Sequence, residues 1–435
     1  MIAGAARLPT PRWGTVTLVS APSLDAIVSA FAAHYGEPPA AAFHAPGRVN
    51  LIGEHTDYSN LPVLPIAIER GITVAACPAE GALVEAFSSN FEGAPALACA
   101  NPSADAAIPW SRYLAGALRE LADLAPSRGA KLFIDGDLPA GGGLSSSSAL
   151  TVGVIAALAA AWDVRLTPEE IVRRAVIAER HAGVESGGMD QEVIVFATAG
   201  AALRIDFDPA GRRLVLVPPG LAFVAAYSGD DAPKAGSARD AYNERVVGAR
   251  IATAMLADEV GLELEHPITL RQVAGVDVVD VLVDGLPERL SATEAAHGID
   301  LDIEQLVRLT SGRFDHQLKV PVRRVARHIL REAERVDQAE AALLAGDLPA
   351  FGRLLNESHD SLRGDFGCST PALDRLCAAM RKAGAFGARL TGAGFGGYAL
   401  AAAPPSAIAA VIEAAIGAAG GPAFEVHASG GLCRL

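Results

Sequence analysis

The chain has 435 residues, of which 51% are hydrophobic and 20% are charged, and its formal net charge is −14 at pH 7. One hydrophobic core does not usually serve a chain of this length, so we expect two domains with a cleft between them, where small molecules tend to bind. The acidic balance argues against nucleic acid as a partner, because a phosphate backbone is bound by clustered lysine and arginine.

The cysteines and the apolar stretches indicate the compartment. The five cysteines are far apart and include no Cys-x-x-Cys pair, so neither a disulfide framework nor a zinc site is predicted, and a reducing cytoplasm is expected. The longest apolar stretch, residues 144–162, has four consecutive serines near its start and a glycine inside. This favours a buried core helix over a membrane-spanning helix, so no membrane is expected as a partner. The oligomeric state is left open, and a monomer is compatible with the sequence.

The first predicted elements in chain order are strands, because short apolar or β-branched runs are bounded by Gly, Pro or Ser. They cover residues 15–19, 71–76 and 83–87. Helices are predicted over 110–123 and 167–182, where apolar residues recur at helical spacing. Thr167 is a favourable N-cap, and Pro168 and two glutamates follow it in the first turn.

The second half of the chain also mixes strands and helices. Strands are predicted on either side of a turn at 208–211 and just beyond it, over residues 201–207, 213–217 and 221–227. Long helices and one further strand follow, over residues 240–258, 322–344, 371–383 and 397–402. We place the domain boundary near Pro218-Pro219, giving an N-terminal domain of residues 13–218 and a C-terminal domain of residues 219–435. The fold class is α+β.

A tight loop is predicted over residues 138–143, between a predicted strand at 131–135 and a helix that begins at Leu144 and starts with four serines. Residues 138–148, the loop and the serine run together, are called the glycine–serine loop. Glycines permit close approach of the backbone, and a helix N-terminus carries partial positive charge, so this order suits a polyphosphate. The four serines add hydroxyls for phosphate or magnesium. The loop has no Gly-Lys-Ser/Thr and is not a Walker A loop. A flexible turn that caps an apolar helix is an equally good interpretation of this segment by itself.

A third glycine-rich segment, residues 391–397, satisfies the Gly-x-Gly-x-x-Gly pattern. A dinucleotide-binding motif would need a helix next, but residues 398–403 are predicted to form a strand that ends at two prolines. The pattern therefore favours a glycine hairpin.

The signature segment, residues 47–58 (GRVNLIGEHTDY), packs arginine, glutamate, histidine and aspartate between apolar runs. Carboxylates accept hydrogen bonds from hydroxyl groups, so this polar density suits a hydroxyl-rich ligand. For any one of these residues, a solvated loop with ordinary ion pairs is the competing interpretation.

The three segments, in this order, resemble the three motifs of the GHMP kinases, and the signature segment resembles that of the galactokinases almost letter for letter. The likeness extends from about His44 to the C-terminal strands and includes Arg327-His328, Glu332, Arg335 and residues 358–363, to which it assigns no role. It implies a two-domain GHMP kinase fold, with mixed sheets packed against helices and the active site in the interdomain cleft. It also implies an enzyme that phosphorylates the anomeric hydroxyl of D-galactose with ATP and Mg²⁺.

The resemblance also implies roles for individual residues. Asp190 corresponds to the catalytic base, and Arg48 corresponds to the arginine that stabilises charge beside it. The positions that hold the sugar match Glu54, His55, Asp57, Gly187, Asp190 and Tyr242. The positions that hold ATP match Trp110, Gly141, Gly142, Gly143, Leu144, Ser145, Ser146, Ser147 and Ser148. Ser147 and Glu179 match the magnesium positions. Trp110 and Tyr113 resemble an aromatic pair near the adenine, with packing of a helix face as the alternative.

Departures from the family pattern leave the sugar open. The family usually continues after Tyr58 with Asn, any residue and Gly, but this chain has Ser59-Asn60-Leu61-Pro62. We expect this change to reshape the loop beside the sugar. Tyr398 stands where galactokinases mostly carry cysteine. A kinase for N-acetylgalactosamine, arabinose or galacturonate is one alternative, and a non-catalytic regulator that binds sugar and ATP is another.

Overall fold

The computed structural model describes residues 24–125, 127–139, 143–183, 187–230, 237–263, 265–266, 268–310 and 314–435. The α-helices in this part of the chain are α1 (Leu24–Tyr35), α2 (Ser111–Leu121), α3 (Ser146–Ala161), α4 (Pro168–His181), α5 (Met189–Phe196), α6 (Ser237–Glu259), α7 (Val279–Gly285), α8 (Ala292–Gly298), α9 (Ile303–Thr310), α10 (Arg323–Ala345), α11 (Leu348–Ser361), α12 (Pro371–Lys382) and α13 (Ile408–Ala419). No helix among the described residues is both long enough and apolar enough to span a bilayer.

In the part of the chain that the structure describes, the β-strands form two main sheets and two small pairs. In chain order they are β1 (Ala41–Ile52), β2 (Leu64–Ala79), β3 (Leu83–Ser88), β4 (Ala96–Ala98), β5 (Gly129–Gly136), β6 (Ala201–Phe207), β7 (Ala210–Leu216), β8 (Ala222–Tyr227), β9 (Arg289–Leu290), β10 (Val320–Pro321), β11 (Gly387–Leu390), β12 (Tyr398–Ala403), β13 (Ala423–Val426) and β14 (Cys433–Arg434).

Within the described residues, the first sheet has the strand order β14-β1-β2-β5-β3-β4. Its neighbours are antiparallel except β3 and β5, which run parallel. Helix α3 packs on β1 and β2, and this helix is apolar all round, which is typical of a helix buried on every side. The strand that carries Arg48 therefore lies between a neighbouring strand and a core helix.

The second sheet has the order β11-β12-β8-β13 and is antiparallel throughout. Helices α12 and α13 pack on it, while α11 packs on β11 and also contacts β1. Helix α10 lies beside α11 and contacts β1 and β7 as well. Helices from the C-terminal half thus reach the strand that begins the signature segment.

The structure confirms most of the predicted elements to within a few residues. Helix α4 begins with a full capping box, in which Thr167 accepts from the N–H of Glu170 and the Glu170 side chain accepts from the N–H of Thr167. The strand predicted after the third glycine-rich segment is β12. The turn predicted at 208–211 is shorter, because β7 already begins at Ala210.

Two predictions about chain organisation are not decided. The strand predicted at 15–19 lies outside the described residues, as do residues 13–23 of the predicted N-terminal domain. The boundary at 218/219 stays a prediction. β14 belongs to the predicted C-terminal domain by its position in the chain, but it pairs with β1 in the first sheet.

Candidate active site

Arg48 and Asp190 form an ion pair at the centre of the candidate site. The Nε atom of Arg48 donates to Oδ1 of Asp190 at 2.7 Å, and the two side chains are 7% and 22% exposed. Arg48 lies in β1, and Asp190 lies in the first turn of α5, which follows Gly188 at φ +114°. Burial alone would lower the pKa of Arg48, but Asp190 and two nearby carboxylates raise it. The guanidinium therefore stays charged beside the carboxylate.

The glycine–serine loop meets this ion pair. Nη1 of Arg48 donates to the carbonyl of Gly143 at 2.6 Å, and the Oγ of Ser145 donates to Oδ2 of Asp190 at 2.6 Å. Ser145 is the N-cap of α3 and has φ +61°, a left-handed conformation that turns the chain sharply into the helix. Both oxygens of the Asp190 carboxylate are therefore held from two directions, at the start of a helix that suits phosphate.

A second carboxylate, Glu179, lies beside the first. Its Oε1 accepts from the Oγ of Ser148 at 2.8 Å, and its Oε2 accepts from the side-chain amide of Gln191 at 2.8 Å. Burial, followed by the nearby charge of Asp190, raises the pKa of Glu179 to about 7, and the hydroxyls of Ser148 and Ser147 oppose this rise. Each carboxylate oxygen keeps a further lone pair for another partner.

The signature segment places a second group of polar side chains near the pair. β1 ends at Ile52, the chain turns at Gly53 with φ +100°, and Glu54 then points back. Oε2 of Glu54 accepts from the side-chain amide of Asn50 at 2.6 Å, and Oε1 accepts from the backbone N–H of Gly392 at 2.7 Å. Glu54 is 1% exposed. Its hydrogen bond with Gly392 connects the signature segment to the third glycine-rich segment.

His55 is part of an aromatic group. Its ring stacks on Phe366 with centroids 3.9 Å apart, and the ring of Tyr242 lies 5.8 Å away. Burial lowers the pKa of His55 well below its usual value, so the imidazole is neutral at pH 7. Its Nε2 is buried and has no hydrogen-bond partner among the described residues. The sequence did not indicate Phe366, because one phenylalanine far along the chain carries no local signal.

Asp57 and Gly187 are in contact. A Cβ atom added to Gly187 would lie 2.4 Å from Oδ2 of Asp57 and from the backbone nitrogen of Tyr58, so no larger residue fits there. Burial, and then the charge of Asp190, raises the pKa of Asp57 to about 6. The side chains of the signature segment are thus brought next to the residues that precede α5.

The third glycine-rich segment contacts the glycine–serine loop. Gly392 has φ +84° and Gly143 has φ +89°, and a Cβ atom on Gly392 would lie 3.0 Å from the Gly143 carbonyl oxygen. β11 and β12 pair antiparallel on either side of this segment, from Leu390 opposite Ala399, so the predicted glycine hairpin is confirmed. The sequence did not indicate that the two glycine segments touch. Glycine is required at this point because both the close approach and the positive φ exclude a side chain.

The departure after Tyr58 has a physical explanation. Asn60 takes the left-handed conformation with φ +57°, and Leu61 is 3% exposed within the hydrophobic cluster that includes Val224 and Ala226. The N–H of Leu61 donates to the carbonyl of Thr56 at 3.1 Å, which closes the loop. Asparagine tolerates this conformation better than most residues, so the turn does not need a glycine at position 61.

Three parts of the chain match known families. Residues 29–78 match the galactokinase galactose-binding signature. Residues 112–198 match the N-terminal domain of GHMP kinases, and residues 339–421 match their C-terminal domain.

Curated relatives extend this similarity over most of the chain. The galactokinase of Chloroflexus aggregans is 35% identical over 377 residues, which cover 86% of each chain. The galactokinase of Homo sapiens is 34% identical over 384 residues, which cover 85% of each chain. The chain belongs to the galactokinase family. It is therefore a sugar kinase of the GHMP class.

A solved structure supports membership of the galactokinase family. Lactococcus lactis galactokinase, solved in complex with galactose, superposes with a TM-score of 0.75 at 29% identity, over 95% of this chain and 100% of the other. A mevalonate kinase, at 18% identity and a TM-score of 0.56 over 89% of this chain and 98% of the other, shares the fold. The predicted GHMP kinase fold is confirmed.

The residues expected to bind ATP differ in their surroundings: Trp110 and Tyr113 make contacts away from the ion pair, whereas Leu144 contacts Arg48. Trp110 is 7% exposed, packs in the hydrophobic cluster that includes Val49 and Ile155, and donates its indole N–H to the carbonyl of Glu92 at 3.0 Å. Tyr113 accepts from Arg112 at 3.2 Å. The carbonyl of Leu144 accepts from the N–H of Arg48 at 3.2 Å. Gly141 and Gly142 lie outside the described residues. The adenine contacts stay predictions.

Proposed function

We propose that this chain transfers the γ-phosphoryl group of ATP to the anomeric hydroxyl of D-galactose and releases galactose 1-phosphate and ADP. The observation that supports the proposal most directly is the ion pair of Arg48 and Asp190 beside the start of α3, with nitrogen to oxygen at 2.7 Å. A guanidinium beside a carboxylate can offset negative charge, and a helix N-terminus suits the binding of phosphates.

Asp190 is the proposed base. Its carboxylate accepts the proton of the sugar hydroxyl, or orients that hydroxyl, as it attacks the γ-phosphorus. Ser145 and Arg48 each occupy one of the two oxygens, at 2.6 and 2.7 Å, so the carboxylate is fixed before the sugar arrives. Arg48 also offsets the negative charge that builds on the transferred group, because transfer of phosphoryl depends mainly on positioning and electrostatics.

Ser147 and Glu179 are the proposed magnesium residues. Their hydroxyl and carboxylate oxygens are hard donors of the kind that Mg²⁺ prefers. No group of three or more His, Cys, Asp or Glu among the described residues could hold a metal ion by itself. This agrees with magnesium bound through one or two carboxylates together with nucleotide phosphates. When bound, the ion supplies charge neutralisation between the phosphate oxygens.

The signature segment is the proposed sugar site. Glu54, His55, Asp57, Gly187 and Tyr242, together with Asp190, would contact the hydroxyl groups of galactose. A sugar that lacks one of these hydroxyls leaves a buried acceptor unpaired, which costs about 1–3 kcal/mol. ATP would lie along the glycine–serine loop and Ser145, Ser146, Ser147 and Ser148. A reducing cytoplasm is the proposed compartment, since all five cysteines are free thiols.

A coupled assay over a panel of hexoses and pentoses tests the proposal. We expect galactose to have the highest kcat/KM and phosphorus NMR to show the phosphate on C1. A preference for N-acetylgalactosamine, arabinose or galacturonate would change the proposed substrate but leave the proposed reaction, phosphorylation of a sugar by ATP, unchanged. Absence of product in single turnovers with ATP and each sugar of the panel would overturn the proposed phosphoryl transfer, whereas absence with galactose alone would exclude only galactose as the substrate.

A further inference from the structure

The backbone of the signature segment is held by side chains from the C-terminal half of the chain. Arg389 in β11 donates from Nη1 to the carbonyls of Asn50 and Leu51, at 3.1 and 3.0 Å. In α10, Oε1 of Glu332 accepts from the N–H of Gly53 at 3.0 Å, and Nε2 of His328 lies 3.1 Å from the carbonyl of Glu54. Residues 50–54 are therefore fixed by their main chain as well as by their side chains.

The N–H of Gly53 needs such a partner. β1 ends one residue earlier, so no neighbouring strand accepts from this amide, and a buried amide without an acceptor is costly. Gly53 has φ +100°, and a Cβ atom there would lie 2.8 Å from Cγ2 of Val336 and 3.0 Å from the carbonyl of Pro62. Helix α10 packs directly on this turn and presents Glu332 to it.

Glu332 is held rigidly. The side chain is 0% exposed; Oε1 also accepts from the Oγ of Ser358 at 2.6 Å, and Oε2 accepts from Nε of Arg335 at 2.7 Å. Nη2 of Arg389 lies 3.9 Å from Oε1 of Glu332. Burial alone would raise the pKa of Glu332, but Arg335, His328 and Arg389 lower it to about 2. The carboxylate is therefore ionised throughout the pH range of an assay.

We propose that Glu332 is a positioning residue for the sugar, which holds the turn at Gly53 so that Glu54 and His55 meet the bound hydroxyl groups. The inference rests on the proposed function, because it assumes that Glu54 and His55 contact the sugar. Glu332 itself touches neither substrate. It acts through the backbone N–H of Gly53, the residue directly before Glu54 and His55.

The placement of Glu332 predicts which kinetic constant changes. Arg48 and Asp190 are held by Gly143 and Ser145, and none of these contacts involves Glu332. A displaced turn should therefore weaken sugar binding and leave ATP binding as it was. A general loss of stability would affect both substrates alike.

Two conservative variants separate the acceptor from the charge. Glu332→Asp keeps the charge but is one methylene shorter, so its carboxylate is withdrawn from the Gly53 N–H. Glu332→Gln keeps an oxygen for Gly53 and loses the charge opposite Arg335. We expect E332D to raise the KM for galactose about tenfold, with the KM for ATP within twofold, and E332Q to stay within about threefold for both.

Glu340 provides a matched control on the same helix. It is 8% exposed and pairs with Arg204 at 3.2 Å and Arg213 at 2.6 Å, but these contacts hold β6 and β7 rather than the signature segment. Glu340→Asp should lower the melting temperature without changing the KM for galactose. A larger effect of E332Q than of E332D, unchanged galactose KM in E332D, or an equal change in E340D would each overturn the proposal. A wild-type protein inactive on galactose would instead overturn the proposed function.

Discussion

The two halves of the site are held together in different ways. The reacting pair, Arg48 and Asp190, is fixed by direct side-chain contacts with the glycine–serine loop, and Asp190 remains 22% exposed towards the site. The turn that carries Glu54 and His55 is fixed through its backbone by Glu332, His328 and Arg389, which are all 0% exposed. The reacting pair is thus oriented by contacts between side chains, whereas the conformation of the turn is fixed by buried hydrogen bonds to its backbone.

This difference predicts how changes in the two halves differ in their effects. Removing a side chain of the reacting pair removes an interaction that exists in the transition state, so it should lower kcat. Disturbing the turn changes the contacts that the sugar makes before and during reaction, so it should raise KM for the sugar. The predictions that follow test this division.

Asp190→Asn should have the largest effect. The variant keeps the shape of the side chain and loses the basic carboxylate, so we expect kcat to fall by about 10²–10⁴-fold with ATP affinity within twofold. Steady-state kinetics and calorimetric titration with ATP measure the two quantities. Asp206→Asn removes another carboxylate paired with arginine, away from the site, and should leave kcat unchanged. Equal loss of turnover and of ATP binding would contradict the role of Asp190.

The pH dependence of sugar binding should show a smaller effect. Burial and the carboxylates of Asp190 and Glu54 raise the pKa of Asp57 to about 6, opposed by Arg48 and the N–H of Tyr58. Asp57 is therefore mostly protonated at pH 5 and mostly a carboxylate at pH 7. The carboxylate accepts hydrogen bonds from hydroxyl groups more strongly than the protonated acid does, so the KM for galactose should fall about tenfold as the pH rises from 5 to 7.

Asp57→Asn provides the control for this prediction, because its side chain does not titrate. Its KM for galactose should be higher than that of the wild type at pH 7 and should not vary over the same range. A wild-type KM that is constant between pH 5 and pH 7 would remove Asp57 from the sugar site.

Ser145→Ala should have the smallest effect. The variant removes the hydrogen bond to Oδ2 of Asp190 at 2.6 Å, but Arg48 still holds the other oxygen. We expect kcat to fall by about three- to tenfold, in line with one hydrogen bond to a charged group. Thr151→Ala removes another hydroxyl from α3, which donates to the carbonyl of Ser147, and should leave kcat within twofold. Similar losses in both variants would indicate damage to the helix rather than to the reacting pair.

The sequence predicted the regular elements well where local signals agreed. Helix α4 carries its own cap at Thr167, and helix α3 follows a glycine–serine loop. No strand was predicted over β1, because the polar residues of the signature segment hide the apolar pattern of a strand buried on both sides. That strand is what brings Arg48 to the site.

By itself, the sequence determined the chemical groups that this protein has available and, through its resemblance to the galactokinases, the reaction expected of them. Only the tertiary structure decided which groups meet. Arg48 and Asp190 are 142 positions apart, and Gly53 and Glu332 are 279 positions apart. Contacts across such separations depend on how helices and sheets pack, and no local spacing or propensity encodes them. For this reason, the resemblance included Glu332 and its neighbours but could not assign them a role. Their hydrogen bonds to the backbone of the signature segment are the basis of the role that we propose for Glu332.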